Sequence, residues 1–366
     1  MAATVAVAMF LTKGKYLPRW MMDILDRLSN KLSLEQAYDE HQNQGVMIDA
    51  ETLSAKLRSK VIGQDKAITS IALQVRRRLA ARRPGKPVAV FCLAGPPGVG
   101  KTHLAKRLAW ELYGKKEHLH FFDMSQFGQP HAAASLFGQA KGYVGSTSYG
   151  ALTGALRDTP DSIVLLDEFE KAHQDVHKRF LTAWNDGFIT ETSTGARIST
   201  EQAIFILTTN AAAQRISQIS SDDEIEPLEA DRLIKKALGD AQFAPEVLSR
   251  VDQVFAFRPL SGLDIARVVA LEMETLAKQF GLRIASGGID PDILFDAIVA
   301  LERRMDGGVR DIARSIERQI TDGLIDARAM KVEEVQLTVR DAIVKVEPVR
   351  GAAPALTGVS APALSS

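Results

Sequence analysis

Cysteine is nearly absent from this sequence: Cys92 is the only one among 366 residues. A lone cysteine cannot form a disulfide within the chain, and it excludes a zinc site built from several thiolates. Cys92 lies in the apolar run 88–93, a setting typical of a buried strand residue rather than a reactive thiol. These features predict a protein of the reducing cytoplasm.

An excess of charge of either sign is also absent, because Lys+Arg and Asp+Glu both number 45. The balanced net charge therefore gives no indication of a nucleic-acid partner or of a basic protein partner. One basic stretch contains Arg76, Arg77, Arg78, Arg82, Arg83 and Lys86. Apolar residues at helical spacing, Ile71, Val75 and Leu79, run alongside it. The solvated face of a helix is therefore the favoured interpretation, and a nucleic-acid surface is the alternative.

Long hydrophobic runs are missing as well. Residues 2–11 are apolar, but they are too short to span a bilayer, and no signal-peptide features flank them. We expect no membrane span. Within an accessory region, residues 1–50, apolar side chains from Trp20 to Leu32 recur at helical spacing and predict an amphipathic helix. That helix is expected either to pack on the main domain or to bind an adaptor.

Short apolar runs rich in β-branched residues alternate with helical patterns over residues 51–255. The runs are 88–93, 119–122, 162–166 and 203–207. Such alternation predicts an α/β fold, in which helices cover both faces of a parallel sheet. This segment is the predicted large domain.

The pattern changes after residue 255. Helical periodicity dominates at 263–280, 291–305 and 309–330, and two strand-like runs follow at 334–339 and 343–346. We therefore predict a smaller, mainly helical domain over residues 256–348. The final residues, 349–366, are rich in Ala, Pro, Gly and Ser, which predicts a disordered tail.

A glycine-rich loop follows the first apolar run. Its residues are Gly95, Pro96, Pro97, Gly98, Val99, Gly100, Lys101 and Thr102, which fit the phosphate-loop pattern of glycine, four residues and Gly-Lys-Thr. Glycines let backbone N–H groups wrap phosphates, and the following helix adds a favourable dipole. Lys101 is expected to reach the β- and γ-phosphates of ATP, and the Thr102 hydroxyl to bind Mg²⁺.

Polar residues end two later strands. Asp167 and Glu168 follow the apolar run 163–166, and Asn210 follows the run 204–207. Parallel strands deliver such residues to the edge of the sheet where ligands bind. Asp167 is expected to hold the Mg²⁺ shell, Glu168 to polarise the attacking water, and Asn210 to contact the γ-phosphate or that water.

The order of these motifs resembles the AAA+ superfamily, and the residues between them resemble its Clp/ClpB subgroup, closest to the second ATPase module of ClpB. The likeness runs from about Leu53 to Pro348. The segments that carry it are Val61-Ile62-Gly63-Gln64, Phe122–Phe127, Gly142-Tyr143-Val144-Gly145, Asp167–His173, Phe243–Asp252 and Gly308-Val309-Arg310.

The resemblance implies a role for each segment. Val61 and Ile62 would line the adenine, and Arg250 would act as an arginine finger in a neighbouring subunit's site. Arg310 would sense the γ-phosphate. Tyr143, flanked by Gly142 and Gly145, would grip a polypeptide in the pore of a homo-oligomeric ring, with a hexamer favoured.

Several parts of the subgroup pattern are missing. The chain has one ATPase module, and it lacks the long coiled-coil insertion of ClpB. No Ile-Gly-Phe tripeptide precedes Phe243, which argues against delivery to the ClpP peptidase. The segments 146–149 and 190–197 also depart from the subgroup, the latter where a second substrate-contacting loop is expected.

The favoured function is an ATP-driven protein remodeller or unfoldase dedicated to one assembly, such as a secretion or conjugation system. Two alternatives stay open. One is a nucleic-acid-associated loader or regulator, which rests on the basic stretch. The other is an ATP-binding scaffold with little turnover, against which Glu168 and Arg250 argue.

Overall fold

The computed structural model describes residues 48–81, 83–139, 148–222, 224–241, 243–303, 309–340 and 343–349. Apart from Ile48, all of these belong to one compact unit, Asp49–Ser366. The predicted amphipathic helix, the tetrad Gly142–Gly145 and nearly all of the predicted tail lie outside the described residues. Within these ranges, every helix is either too short or too polar to cross a bilayer.

A five-stranded parallel sheet forms the centre of the nucleotide-binding part. Its strands are β1 (Ala89–Ala94), β2 (Leu119–Asp123), β3 (Ile163–Asp167), β6 (Ile204–Thr209) and β7 (Gln253–Ala256). They lie in the order β2-β3-β6-β1-β7. All six residues of both β1 and β6 are buried, which explains their uninterrupted apolar sequences. The predicted α/β fold is confirmed.

Helices connect these strands. They are α1 (Ala50–Arg58), α2 (Asp65–Ala80), α3 (Lys101–Tyr113), α4 (Ala133–Phe137), α5 (Ala151–Asp158), α6 (Gln174–Asp186), α7 (Ala213–Ser221), α8 (Pro227–Asp240) and α9 (Pro245–Arg250). Helix α2 contains the first three residues of the basic stretch, Arg76, Arg77 and Arg78. Ile71 and Val75 are buried on its inner face, whereas Arg76 and Arg77 are exposed, as the helical spacing predicts.

An aromatic cluster fills the core between helix α6 and the sheet. Phe169, Phe180, Trp184 and Phe205 are buried, with neighbouring ring centroids 5.5–6.2 Å apart. Each such side chain contributes roughly 1.5–3 kcal/mol by its burial. Because Phe169 directly follows Glu168, this packing anchors the segment in which the acidic motif lies.

A short hairpin interrupts the connection between α6 and β6. Its strands, β4 (Phe188–Thr190) and β5 (Arg197–Ser199), pair antiparallel. Only three residues in each strand carry the pattern, which is too few for a periodicity to stand out in the sequence.

The C-terminal part has its own core. Helices α10 (Leu263–Gln279), α11 (Pro291–Arg303) and α12 (Val309–Ala329) pack with a sheet of strands β8 (Arg283–Ile289), β9 (Glu334–Arg340) and β10 (Ile343–Pro348). The predicted strand pair is confirmed, but β8 was not predicted. Its sequence, Arg-Ile-Ala-Ser-Gly-Gly-Ile, is largely polar or small, and a register shift interrupts its pairing with β9.

Candidate active site

The phosphate loop connects the buried end of β1 to helix α3. Gly95 and Gly100 both adopt positive φ, 153° and 96°. A Cβ on Gly95 would lie 2.4 Å from the carbonyl oxygen of Phe257, so no side chain fits there. Gly100 is the N-cap residue of α3 in the left-handed region, where glycine is the least strained choice.

The first turn of α3 fits a phosphate group. No side chain caps this turn, so its backbone N–H groups are not used by a capping residue. Together with the positive end of the helix dipole, these donors suit the polyphosphate of a nucleotide.

Lys101 is the first residue of this helix and is only 6% exposed. Its Nζ donates to the carbonyl oxygens of Gly95 and Pro96 at 2.7 and 2.6 Å, and to Oδ1 of Asn210 at 2.8 Å. Burial lowers the pKa of Lys101 to about 8, although nearby carboxylates, led by Glu170, oppose the shift. A phosphate bound beside Nζ would further stabilise the charged form of this buried side chain.

Thr102 and Asp167 form the donor set expected for Mg²⁺. The Thr102 hydroxyl donates to Oδ1 of Asp167 at 2.7 Å, and the Thr208 hydroxyl donates to the same oxygen at 2.6 Å. One hydroxyl and one carboxylate suit Mg²⁺, which is commonly held by one or two carboxylates together with substrate phosphates. Within the described ranges, no cluster of three His, Cys, Asp or Glu residues offers a different metal site.

Glu168 sits in a strained backbone conformation directly after β3. Its φ and ψ are 55° and 50°, a left-handed geometry that costs a non-glycine residue roughly 1–3 kcal/mol. The Glu168 N–H donates to the Thr208 hydroxyl at 3.0 Å. Its carboxylate accepts from Nδ2 of Asn210 at 3.1 Å and from Nζ of Lys171 at 2.6 Å. The strained turn directs Glu168 towards the end of β6, where Asn210 lies.

Asn210 joins the two halves of this network. Its amide contacts Lys101 through Oδ1 and Glu168 through Nδ2, and its backbone N–H donates to Oε1 of Glu170 at 3.0 Å. The predicted proximity of Lys101, Glu168 and Asn210 is therefore present in the fold. A group placed among them would contact a cation, a carboxylate and an amide together.

Three further residues complete the site. Thr208 links Asp167 to the Glu168 backbone, Lys171 pairs with Glu168, and Glu170 holds the Asn210 backbone. The other Glu170 oxygen, Oε2, is buried and has no hydrogen-bond partner among the described residues. The position of Thr208 at a buried strand end was a usable signal. Glu170 and Lys171 belong to the segment Asp167–His173 that resembles the Clp/ClpB subgroup, but that resemblance assigned them no role.

The segment around Val61 lies beside the phosphate loop. Val61 is buried, and its Cγ1 lies 3.6 Å from where a Cβ on Gly100 would be. The side chain of the buried Gln64 donates to the carbonyl oxygen of Arg258 at 2.9 Å and accepts from its N–H at 3.1 Å. This pair of bonds ties the predicted adenine segment, with Val61 and Ile62, to the chain just after β7.

Arg250 is not part of this cluster. It is the exposed last residue of α9 and precedes β7, whereas the phosphate loop follows β1. Because these strands are parallel neighbours, Arg250 lies towards the amino end of the sheet and the loop lies at its carboxyl end. Arg310 falls in α12, but its side chain lies outside the described residues, as does the whole Gly142–Gly145 tetrad.

Comparisons with known proteins agree with this geometry. Residues 86–254 match the family described as AAA domain (Cdc48 subfamily). The chain contains an AAA+ ATPase domain, similar to those of the Clp/ClpB group. It is 36% identical over 273 residues to chaperone protein ClpB 2 of Parasynechococcus marenigrum, an alignment that covers 74% of this chain and 30% of that protein.

Two other relatives give the same picture. The AAA+ chain is 37% identical over 281 residues to the ATP-dependent Clp protease ATP-binding subunit ClpE of Bacillus subtilis, covering 75% of this chain and 39% of ClpE. It is 36% identical over 269 residues to chaperone protein ClpB of Pseudomonas putida, covering 73% and 31%. The chain thus spans about a third of the length of these relatives. The predicted resemblance to a ClpB ATPase module is confirmed.

Proposed function

We propose that this AAA+ ATPase is a ring-forming protein remodeller that couples ATP hydrolysis to the movement of a polypeptide. The observation that carries the proposal is the Asn210 bridge, which joins the phosphate-loop lysine to Glu168. This arrangement suits hydrolysis better than nucleotide storage, because a scaffold that only binds ATP needs no carboxylate beside the γ-phosphate position.

Each residue of the site has a role in the proposed reaction. Lys101 binds the β- and γ-phosphates, and Thr102 and Asp167 hold Mg²⁺, which neutralises phosphate charge when it is bound. Glu168 accepts a proton from the attacking water, while Asn210 orients that water or the γ-phosphate. Release of Glu168 from Lys171 frees one of its oxygens for this task. Val61 and Ile62 contact the adenine.

Arg250 completes the site of a neighbouring subunit. Its exposure, its distance along the sheet from its own phosphate loop and the absence of an ion pair with any other described residue support a role in trans. Hydrolysis then requires an assembled ring, for which six subunits are favoured. Arg310 senses the γ-phosphate from the C-terminal domain, residues 256–348, and so couples nucleotide state to domain angle.

Tyr143 contacts the substrate in this proposal. An aromatic residue between glycines can grip an extended polypeptide without reading its sequence. We propose a single dedicated client assembly, since the segments 146–149 and 190–197 both depart from the general disaggregase pattern. An adaptor role for residues 1–50, no delivery to ClpP and a cytoplasmic location remain predictions.

Mixed rings test the shared site. Arg250→Ala keeps its own Glu168, and Glu168→Gln keeps its own Arg250, so each variant alone lacks one half of every site. Mixing them equally creates complete sites at about a quarter of the interfaces. We expect each variant alone to be inactive and the mixture to recover turnover in proportion. A mixture as inactive as its components would contradict the trans role.

A second experiment separates remodelling from hydrolysis. Tyr143→Ala should abolish unfolding of a client polypeptide while most ATPase activity is retained. Tyr143→Phe is the control, because it keeps the aromatic ring that the proposed grip requires and should retain unfolding. Equal loss of hydrolysis and unfolding in Tyr143→Ala would count against polypeptide gripping.

The nucleic-acid alternative has a specific observation against it. Arg78 and Arg83, two of the six basic residues, form ion pairs with Asp252, and Arg83 binds it through two nitrogens, each at 2.9 Å. These two guanidinium groups support the start of β7. DNA-stimulated turnover that weakens steeply with salt would nevertheless favour that alternative.

A further inference from the structure

Glu191 is a buried carboxylate outside the nucleotide site. It follows β4 at the start of the turn 191–196, and the residue is 0% exposed. Four donors surround it. Oε1 accepts from the backbone N–H of Ser193 at 2.9 Å and from its hydroxyl at 2.6 Å. Oε2 accepts from the backbone N–H of Gly150 at 2.9 Å and from the Thr153 hydroxyl.

These donors come from two different stretches of chain. Ser193 belongs to the turn 191–196, whereas Gly150 and Thr153 belong to the start of α5. Oε1 of Glu191 therefore accepts hydrogen bonds from the turn, and Oε2 accepts them from the start of α5. A direct backbone bond reinforces the contact, since the Thr192 N–H donates to the carbonyl oxygen of Phe137 at 2.8 Å.

The flanks of the segment 139–149 meet at the same place. A Cβ on Gly150 would lie 2.3 Å from the backbone nitrogen of Gly138, so the two glycines are in close contact. A Cβ on Gly138 would lie 1.6 Å from Oε1 of Glu191. Gly138 and Gly150, which flank the segment 139–149, therefore lie in contact with each other. The Glu191 side chain packs against both glycines.

The charge of Glu191 makes this contact more than ordinary packing. Burial raises the pKa of its carboxyl, but hydrogen bonds from Ser193, Thr153 and Gly150 lower it, with a net result below the ordinary value. Among the residues that the structure describes, no basic side chain donates to it, and the donors that balance its charge there are neutral. Losing a donor on either side leaves a buried charge undersolvated, and the remaining bonds must readjust.

We infer that Glu191 is a positioning residue that holds together Gly138 and Gly150, the residues that flank the segment 139–149, and couples them to the turn 191–196. This inference rests on the proposed function only in that Tyr143 lies within the first segment and the turn was expected to contact substrate. A displacement at Gly150 and the start of α5 is then transmitted to the turn 191–196, and the reverse holds as well.

Amide hydrogen exchange of two single variants tests the coupling without any substrate. Thr153→Val removes a donor on the α5 side, and Ser193→Ala removes one on the turn side. We expect each variant to speed exchange by about tenfold on both sides, in peptides covering 148–153 and 190–197. Thr194→Ala is the control for transmission: Thr194 is exposed and its hydroxyl accepts from the Ala196 N–H within the same turn, so this variant should leave exchange in 148–153 unchanged.

Exchange that rises only on the mutated side would overturn the inference, because it would show two separately anchored loops. Polypeptide-stimulated ATP turnover of the same variants distinguishes this inference from the proposed function. Coupled exchange with unchanged stimulation would leave the coupling intact and count against substrate gripping. Coupled exchange with reduced stimulation and normal basal turnover is the expected result.

Discussion

Lys101 and Glu191 both have buried ionisable side chains, but the surroundings of Lys101 disfavour its charged form, whereas those of Glu191 favour its charged form. Burial lowers the pKa of Lys101 to about 8, so the site disfavours its charge. The pKa of Glu191 is also lowered, but for an acid this favours the charged form. Lys101 is therefore poised to bind an anion, whereas Glu191 already has its hydrogen-bond partners.

The difference separates a binding site from a structural contact. Two strained or incompletely satisfied groups lie at the carboxyl edge of the sheet: Glu168 has positive φ, and Oε2 of Glu170 has no hydrogen-bond partner within the described part of the chain. Around Glu191, each carboxylate oxygen accepts two hydrogen bonds. The strained Glu168 and the unpartnered Glu170 oxygen lie beside the phosphate loop, where a bound nucleotide would meet them.

The largest effect that would sharpen this contrast is expected at Lys101. Lys101→Met keeps the length of the side chain but removes the ammonium that would contact the phosphates. We expect nucleotide affinity to fall by at least about a hundredfold, with the fold retained. Titration with a fluorescent ATP analogue measures this loss. Lys115→Ala is the control, since Lys115 is exposed after α3, and a similar loss there would contradict the assignment.

Glu191→Gln should mainly reduce stability. The amide replaces one acceptor oxygen with a donor that faces other donors, which we expect to cost about 2 kcal/mol at pH 7. Because the folded-state pKa of Glu191 is lowered, its contribution is present above the unfolded pKa and is lost as the pH falls through the folded value. Denaturant unfolding at pH 7 and pH 4 measures it. A difference that grows with acidification would contradict this sign.

The smallest effect is a protonation change at Lys101. Because its pKa in this structure is about 8, and an adjacent phosphate raises it, nucleotide binding at pH 8 should take up roughly half a proton. Uptake from Lys101 should vanish towards pH 6.5, where the ammonium is already charged. Calorimetry in two buffers of different ionisation enthalpy measures the proton number. Proton release at pH 8 would contradict the lowered pKa.

Much of the nucleotide site was predictable because its parts are local in sequence. The strand before the phosphate loop, helix α3 and the acids after β3 each carry their own pattern, and parallel pairing brings their ends together. The helix predicted to follow the phosphate loop is present as α3, Lys101–Tyr113. Asn210 was found for the same reason, since it follows a buried strand.

The Glu191 cluster was not predictable, because its contacts join residues far apart in sequence. Gly138, Gly150 and Glu191 each resemble ordinary loop residues, and only the folded chain brings them together. Strand β8 was missed for a different reason, since its glycines and polar residues have low strand propensity and long-range pairing overrides that preference. The roles of Arg250 and Arg310 rest on resemblance, and they stay predictions.

The most direct test of the central claim is ATP turnover of Glu168→Gln beside the unchanged protein over a series of protein concentrations. If the network at the sheet edge hydrolyses ATP in an assembled ring, turnover per subunit of the unchanged protein rises steeply with concentration. Glu168→Gln should still bind ATP but lose at least about a hundredfold in turnover. Turnover that persists in Glu168→Gln would contradict the assignment of Glu168 as the group that activates water.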